Sequence, residues 1–422
     1  MNKKPISPPE LKNDCFALPA GVSWTPVSEA HTLLQERLSA IAATETVLIT
    51  ESLGRILAKP VVALRSNPPS PNSAVDGYAI RGADFGDGPH IVPCVKGRSA
   101  AGQPYSGSIP KGHAVRILTG ATMPDGVDTV ILQEDVTATE GQIAFHGPLK
   151  IGSNAREAGE DVLAGDVILR QSRVVTPADL AFLAASGVSE VTAYKPLRVG
   201  VLSTGDELVE AGDTATGDQI YDANRPMLLA MLHQLGYIPI DLGRAPDDRE
   251  HIRNTLNEAA TNVDVILTSG GASAGDEDHM SALLSESGGL MQWRMAIKPG
   301  RPLALAMWQG VPIFGLPGNP VAAMVCTLVF ARPALALLSG QGWFWPEGTM
   351  LPASFSKSKK AGRREYLRAL VNDGQVEVFQ SEGSGRISGL SWADGLVELP
   401  DEAAEITPGT QVRYMSFTDF GL

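Results

Sequence analysis

The stretch 195–339 constrains the fold most, because strand and helix patterns alternate along it. "LRVGVLST" is an apolar run rich in β-branched residues, which reads as a buried strand. "NRPMLLAMLHQLG" reads as a helix capped by Asn224 and stopped by Gly236. "YIPIDLG" is a strand, "DDREHIRNTLNEAATN" a helix opened by Asp247 or Asp248, "VDVILTSGG" a strand and "DHMSALLSESGG" a helix. "RMAIKPG", "PLALAMW" and "VPIFGLPG" are short strands ahead of a helix from Pro320. Such alternation calls for a doubly wound, mostly parallel α/β sheet with helices on both faces.

Open α/β sheets bind ligands outside the carboxyl ends of their strands. Here those ends read "STGDE" (203–207), "DLGRAPDD" (241–248), "TSGGASAGDED" (268–278), "KPGRP" (298–302) and "GLPGNP" (315–320). Any one of them is explained by loops being polar and glycine-rich; their shared register points to a site. In "LPGNP", after Pro317 and Gly318, Asn319 is the expected N-cap and Pro320 the first helical residue. That offers unpaired N–H groups to an oxyanion, although ordinary capping reads the same way. Ser269, Gly270 and Gly271 let the backbone approach a ligand closely. Lys298 and Arg301 suit an oxyanion, or simply a solvated loop. Asp206, Glu207, Asp247, Asp248, Asp276, Glu277 and Asp278 share this rim. Carboxylates around an anion need a cation between them, and oxygen ligands without His or Cys suit Mg²⁺ bridging to a phosphate. Asp278 is the acid expected on that metal, with Asp276 and Glu277 at a solvated edge.

The rest of the chain has other textures. Residues 1–24 are a Pro-rich, extended lead-in. "VSEAHTLLQERLSAI" (27–41) is a helix with Ser28 as N-cap, and "TPADLAFLAASG" (176–187) a helix opened by Thr176 and Pro177. Residues 25–61 plus 161–194 then form a helical, linking domain. Gly and Pro punctuate short apolar runs over 62–160, a β-rich domain. Its "NSAVDGYAI" (72–80) holds an Asp-Gly pair that usually means only a hairpin turn, so Asp76 carries no functional signal by itself. Residues 195–340 are the α/β domain. Residues 345–422, with "VEVFQ", "LVELP" and "QVRYM", are expected as a small C-terminal β domain without a helix.

Composition narrows the function classes. Across 422 residues, 34 basic and 47 acidic side chains give −13, with no Lys/Arg-rich block, which argues against a nucleic-acid surface. Three distant cysteines fit neither a disulfide framework nor a thiolate zinc site, and the seven histidines are scattered. A reducing cytoplasm is expected. "MNKKPISPPELKND" has no apolar run behind its basic residues, so no signal peptide is expected. "VAAMVCTLVFA" (321–331) ends at Arg332-Pro333, too short to span a bilayer, and reads as a buried helix.

"NSAVDGYAI", "AGQPYSG", "RILTGATMPDGVDTVI", "GEDVLAGD", "STGDEL", "IYDANRPML", "DVILTSGGASAGDEDH", "AIKPGRP" and "GLPGNPVA" follow one another in this chain. In that order they resemble MoeA-type molybdopterin molybdenumtransferases, over about 25 to 420. The resemblance implies insertion of molybdenum from molybdate into adenylylated molybdopterin, with release of AMP and a divalent cation such as Mg²⁺. It implies a homodimer of four-domain subunits, with molybdopterin adenylyltransferase and molybdoenzyme maturation proteins as further partners, and neither nucleic acid nor membrane. By it, Asp76 and Thr119 of one subunit join Glu207, Asp247 and Asp278 of the other as catalytic residues, Asp247 and Asp278 holding metal and nucleotide phosphate. Ser269, Gly270, Gly271, Pro317, Gly318 and Asn319 become substrate-binding, Lys298, Arg301 and Arg368 hold oxyanions, and Ser384 is a further contact. The chain departs from the family's usual spelling at Ala322, where Ser is common, at Ala272 and Ala274, and at Arg301, where Lys is usual. A molybdopterin adenylyltransferase would need only the α/β domain, and a non-catalytic scaffold would be free to lose these acids.

Overall fold

Strands Arg198–Thr204, Val265–Ser269 and Val311–Leu316 are buried along most of their length because helices cover both sides of the sheet they form with Ile238–Ala245, an edge strand buried only at Ala245. The computed structural model describes residues 24–422 apart from 271–278, 287–290, 301 and 384, and the backbone alone at 291–293 and 302. The sheet has six strands, in the order 238–245, 198–204, 265–269, 311–316, 302–308, 291–294. The first four pair in parallel and the last two join antiparallel. Val199, Val201, Leu267 and Phe314 point to one core, with Leu228, Leu232 and Val329. Leu202, Ile266 and Ile313 point to the other, with Ile252, Leu256 and Leu283. Each such buried aliphatic side chain contributes about 1.5–3 kcal/mol, which fixes the strand register and hence which residues end up at the carboxyl edge.

Contacts divide the chain into two compact units, Ala43–Tyr194 and the remainder. In the first, Thr44–Leu48 pairs with Glu190–Tyr194, and helix Pro177–Ala185 starts on a capping box between Thr176 and Asp179. The β-rich stretch builds a six-stranded sheet in the order 129–132, 77–80, 114–117, 88–99, 142–147, 137–139. In the second, the C-terminal sheet runs 297–298, 364–372, 395–399, 411–416, 349–352, with 375–378 added on 364–372.

Four local expectations change. Helix Val27–Arg37 is preceded by Pro26 without a side-chain cap, so Ser28 lies in its first turn, and it ends four residues early. Asn224 is the first residue of helix Asn224–Gln234 rather than its cap, because its side chain is used elsewhere. The apolar helix does not stop at Arg332-Pro333. A π turn at Thr327–Ala331 joins Pro320–Cys326 to Arg332–Leu338, and Pro333 falls in the first turn of the resumed helix, where its missing N–H costs least. That span, 320–338, has the length and apolarity to cross a membrane but is almost wholly buried in the protein. The C-terminal region contains a helix, Ser388–Trp392, too short to show a hydrophobic period.

Candidate functional site

The carboxyl edge of the sheet is a polar floor. Ser203 and Thr204 end one strand and Thr268 and Ser269 its neighbour, and all four are buried. The Asn224 amide donates to Ser269 Oγ at 2.6 Å and to the Gly318 carbonyl at 2.7 Å, tying two strand-end loops together. Gly270 has φ +89°, and a Cβ there would lie 2.6 Å from the Thr204 carbonyl oxygen, so the chain leaves the strand through a position only glycine fits. Gly318 packs against the Gly270 backbone. Asn319 caps the following helix by accepting from the Val321 N–H at 3.2 Å, with Pro320 at its start. Ser269, Gly270, Pro317, Gly318 and Asn319 are thereby brought together. Beneath them the hydroxyls of Ser203, Thr204 and Thr268 and the Asn224 Oδ1 are buried without a hydrogen-bond partner among the described residues. Buried hydroxyls are normally hydrogen-bonded, so this floor calls for polar partners.

Carboxylates line the neighbouring strand end. Thr204 and Ala245 are in register, and the Asp247 N–H donates to Asp206 Oδ1 at 3.1 Å. The Glu207 carboxylate lies against Gly205. Asp248, not Asp247, caps helix Arg249–Asn262, accepting from the His251 N–H at 2.7 Å. Asp278, with Asp276 and Glu277, lies outside the described residues, as do Gly271, Arg301 and Ser384. Among the described residues no three His, Cys, Asp or Glu side chains form a metal-binding group. The donors present are carboxylate oxygens, which fit Mg²⁺ better than zinc. Sequence reading missed Arg225, whose buried guanidinium pairs with Asp222 at 3.2 Å, with Asp241 and with Glu210. Burial would lower its pKa, but the hydrogen bonds it donates to Asp241 and Asp222 outweigh that and keep it firmly charged. It pins the start of the helix that carries Asn224. The spacing of Asp222 and Arg225 was the available signal.

Lys298, expected to hold an oxyanion or to lie in a solvated loop, is ion-paired within the protein. Its short strand, Ile297–Lys298, pairs with Arg364–Glu365 of the C-terminal sheet. There Lys298 Nζ pairs with Glu382 and lies 3.6 Å from Glu365, while Lys357 Nζ pairs with Glu382 and sits 3.1 Å from Glu365. Burial would push the Glu382 carboxyl up, but the two ammonium groups hold it below its ordinary value. Burial likewise opposes the charge on Lys357, and its carboxylate partners overcome it. Arg368 is buried, and its guanidinium donates to the carbonyls of Arg386, Ser381 (2.5 Å) and Gly383 (3.3 Å) while stacking 4.8 Å from the Phe379 ring centre. It clamps a backbone loop. Lys298, Lys357, Arg368, Ser356, Gln380 and Glu382 help line a cavity of about 170 Å³. Gly300, at φ +104°, lets the loop after Lys298 pass directly over the Cys326 thiol. Lys357 and Glu382 gave no local signal in the sequence.

In the other unit, Asp76 and Thr119 meet. Asp76 Oδ1 accepts from the Thr119 N–H and from the Thr119 hydroxyl, each at 2.7 Å. These bonds depress the Asp76 pKa, the backbone donor contributing most. A hairpin-turn aspartate would not need both.

Comparison with known proteins follows this division. Residues 25–187 match the MoeA N-terminal region (domain I and II), 200–337 a probable molybdopterin binding domain, and 351–417 the MoeA C-terminal region (domain IV). The molybdopterin molybdenumtransferase of Haemophilus influenzae is 38% identical over 398 residues, covering 93% of this chain and 98% of that protein. Its namesake from Nostoc sp. is 33% identical, covering 87% and 88%. A crystal structure of the molybdopterin biosynthesis MoeA protein from Pyrococcus horikoshii is similar at a TM-score of 0.82 and 29% identity, covering 93% of this chain and all of that one. A doubly wound sheet with an oxyanion-ready edge, together with these full-length likenesses, leads to one conclusion: the chain belongs to the molybdopterin molybdenumtransferases, transferases of molybdenum cofactor biosynthesis that act on molybdopterin and molybdenum.

Proposed function

We propose that the chain inserts molybdenum from molybdate into adenylylated molybdopterin and releases AMP, with Mg²⁺ as the divalent cation. The observation that carries this is the convergence of the Ser269–Gly270 and Gly318–Asn319 loops over hydroxyls that have no partner among the described residues, beside the Asp206–Asp247 carboxylates. Phosphate, AMP and molybdate are all oxyanions, and glycine loops and a helix start suit them. Asp247 and Asp278 would hold Mg²⁺, which supplies charge neutralisation at the leaving phosphate. Glu207 orients substrate on the same rim. Lys298 and Arg301 hold molybdate, Ser384 adds a hydroxyl, and Arg368 shapes the loop around them. Ala322 offers no hydroxyl there. No protein nucleophile is required, since the adenylyl phosphate is already a leaving group.

The enzyme works as a cytoplasmic homodimer of four-domain subunits in which Asp76 and Thr119 of one copy serve the rim of the other. A molybdopterin adenylyltransferase supplies its substrate, and molybdoenzyme maturation proteins take its product. Calorimetry of AMP binding tests the phosphate and metal assignment. Binding should weaken about tenfold or more when Mg²⁺ is removed or in Asp278→Asn, the loss of one metal-bridged phosphate contact. Tight binding indifferent to both changes would sink it.

A further inference from the structure

The Lys298–Lys357 pair already holds an anion: the protein's own Glu382. One carboxylate oxygen of Glu382 faces each ammonium group, the arrangement a bound oxyanion would take between two cations. Glu365 sits behind the pair, 3.1 Å from Lys357 and 3.6 Å from Lys298, with a side chain only 7% exposed, against 44% for Glu382. Glu365 is thus the fixed counter-ion and Glu382 the one open to solvent. The four charges cancel, so an incoming anion meets no net attraction until Glu382 leaves. Arg368 grips the carbonyls on both sides of Glu382, at Ser381 and Gly383, so the side chain can swing while its backbone stays. The adjoining cavity of about 170 Å³ far exceeds the space of roughly 10–15 Å³ that one water needs, and Ser356 and Gln380 add polar groups to its wall.

We propose that Glu382 is an internal competitor for the Lys298–Lys357 pair, and that oxyanion substrate binds by exchanging with it, which makes Glu382 a residue that sets the affinity of the site. This rests on the reading of Lys298 as an oxyanion holder. The competitor is a monoanion tethered beside its site, so it is present at high effective concentration. A monoanionic ligand gains no charge by replacing it, whereas a dianion gains one against two cations. The site therefore favours dianionic tetrahedral oxyanions over monoanions of the same shape. If Glu382 closes the pair about nine-tenths of the time, it weakens apparent affinity about tenfold.

The test is calorimetric titration of the full chain with molybdate, a dianion, and with perrhenate, a tetrahedral monoanion, at fixed ionic strength. Glu382→Gln should bind molybdate and perrhenate each about tenfold tighter, because a competitor lowers both apparent affinities by the same factor. Lys357→Gln should weaken molybdate. Unchanged affinities in Glu382→Gln, with binding lost in Lys298→Gln, overturn the exchange while sparing the site. Wild-type binding in Lys298→Gln overturns both.

Discussion

Thr119 places two donors on one oxygen of Asp76, a contact that joins two distant turns of the β-rich stretch. Asp76 is half-buried, and its depressed pKa comes chiefly from these bonds, with a smaller push the same way from Arg116. Thr119→Val removes the hydroxyl and keeps the backbone N–H. The Asp76 carboxyl should then titrate closer to its ordinary range by carboxyl-resolved NMR, without returning fully. Activity should fall about tenfold, the scale of one charge-assisted hydrogen bond. An unmoved titration would mean the hydroxyl contact does not form. At this scale the sequence named Asp76 and Thr119 only through resemblance, because a two-residue contact 43 positions apart leaves no local pattern.

Helix Val27–Arg37 shows how an element is held by one buried polar group. His31 points into the apolar helix 320–338. Its Nε2 bonds the Val329 carbonyl at 2.9 Å, and its ring meets Phe330, Trp343 and Trp345 edge-on. Burial lowers its pKa from 6.5 to about 4, against a smaller opposing push from the Val329 bond. The fold accepts only the neutral ring, while the unfolded chain takes up a proton below pH 6.5. The stability is thus complete above that value and drains away as pH falls towards 4, by roughly 3 kcal/mol in all. Thermal melts at pH 7.5 and pH 5 should show a smaller acid loss in His31→Gln than in the wild type. Equal losses would remove His31 as the sensor. The helix itself was legible from its spacing. Its partner was not, since the contact spans 298 positions.

For the molecule as a whole, alternation of strand and helix sufficed to predict the α/β sheet and the edge where its loops converge. Parallel strands buried on both faces write continuous apolar runs, and polar loop residues stand out against them. What stayed hidden depends on pairing across the chain. Nothing near Lys298 announces that its strand joins the C-terminal sheet, or that Glu382 and Lys357 wait there. Asn224 looked like a cap because its spacing to the helix is right, yet its amide is spent on Ser269 and Gly318. Both cases bear on the proposed holding of oxyanions at a strand edge. The most direct measurement is AMP release by the purified chain from adenylylated molybdopterin, with and without molybdate, in Mg²⁺. Release should depend on molybdate and fall about a hundredfold or more in Asp278→Ala, as for loss of a ligand to a catalytic metal. AMP release indifferent to molybdate, or pyrophosphate release from ATP and molybdopterin, would contradict the account.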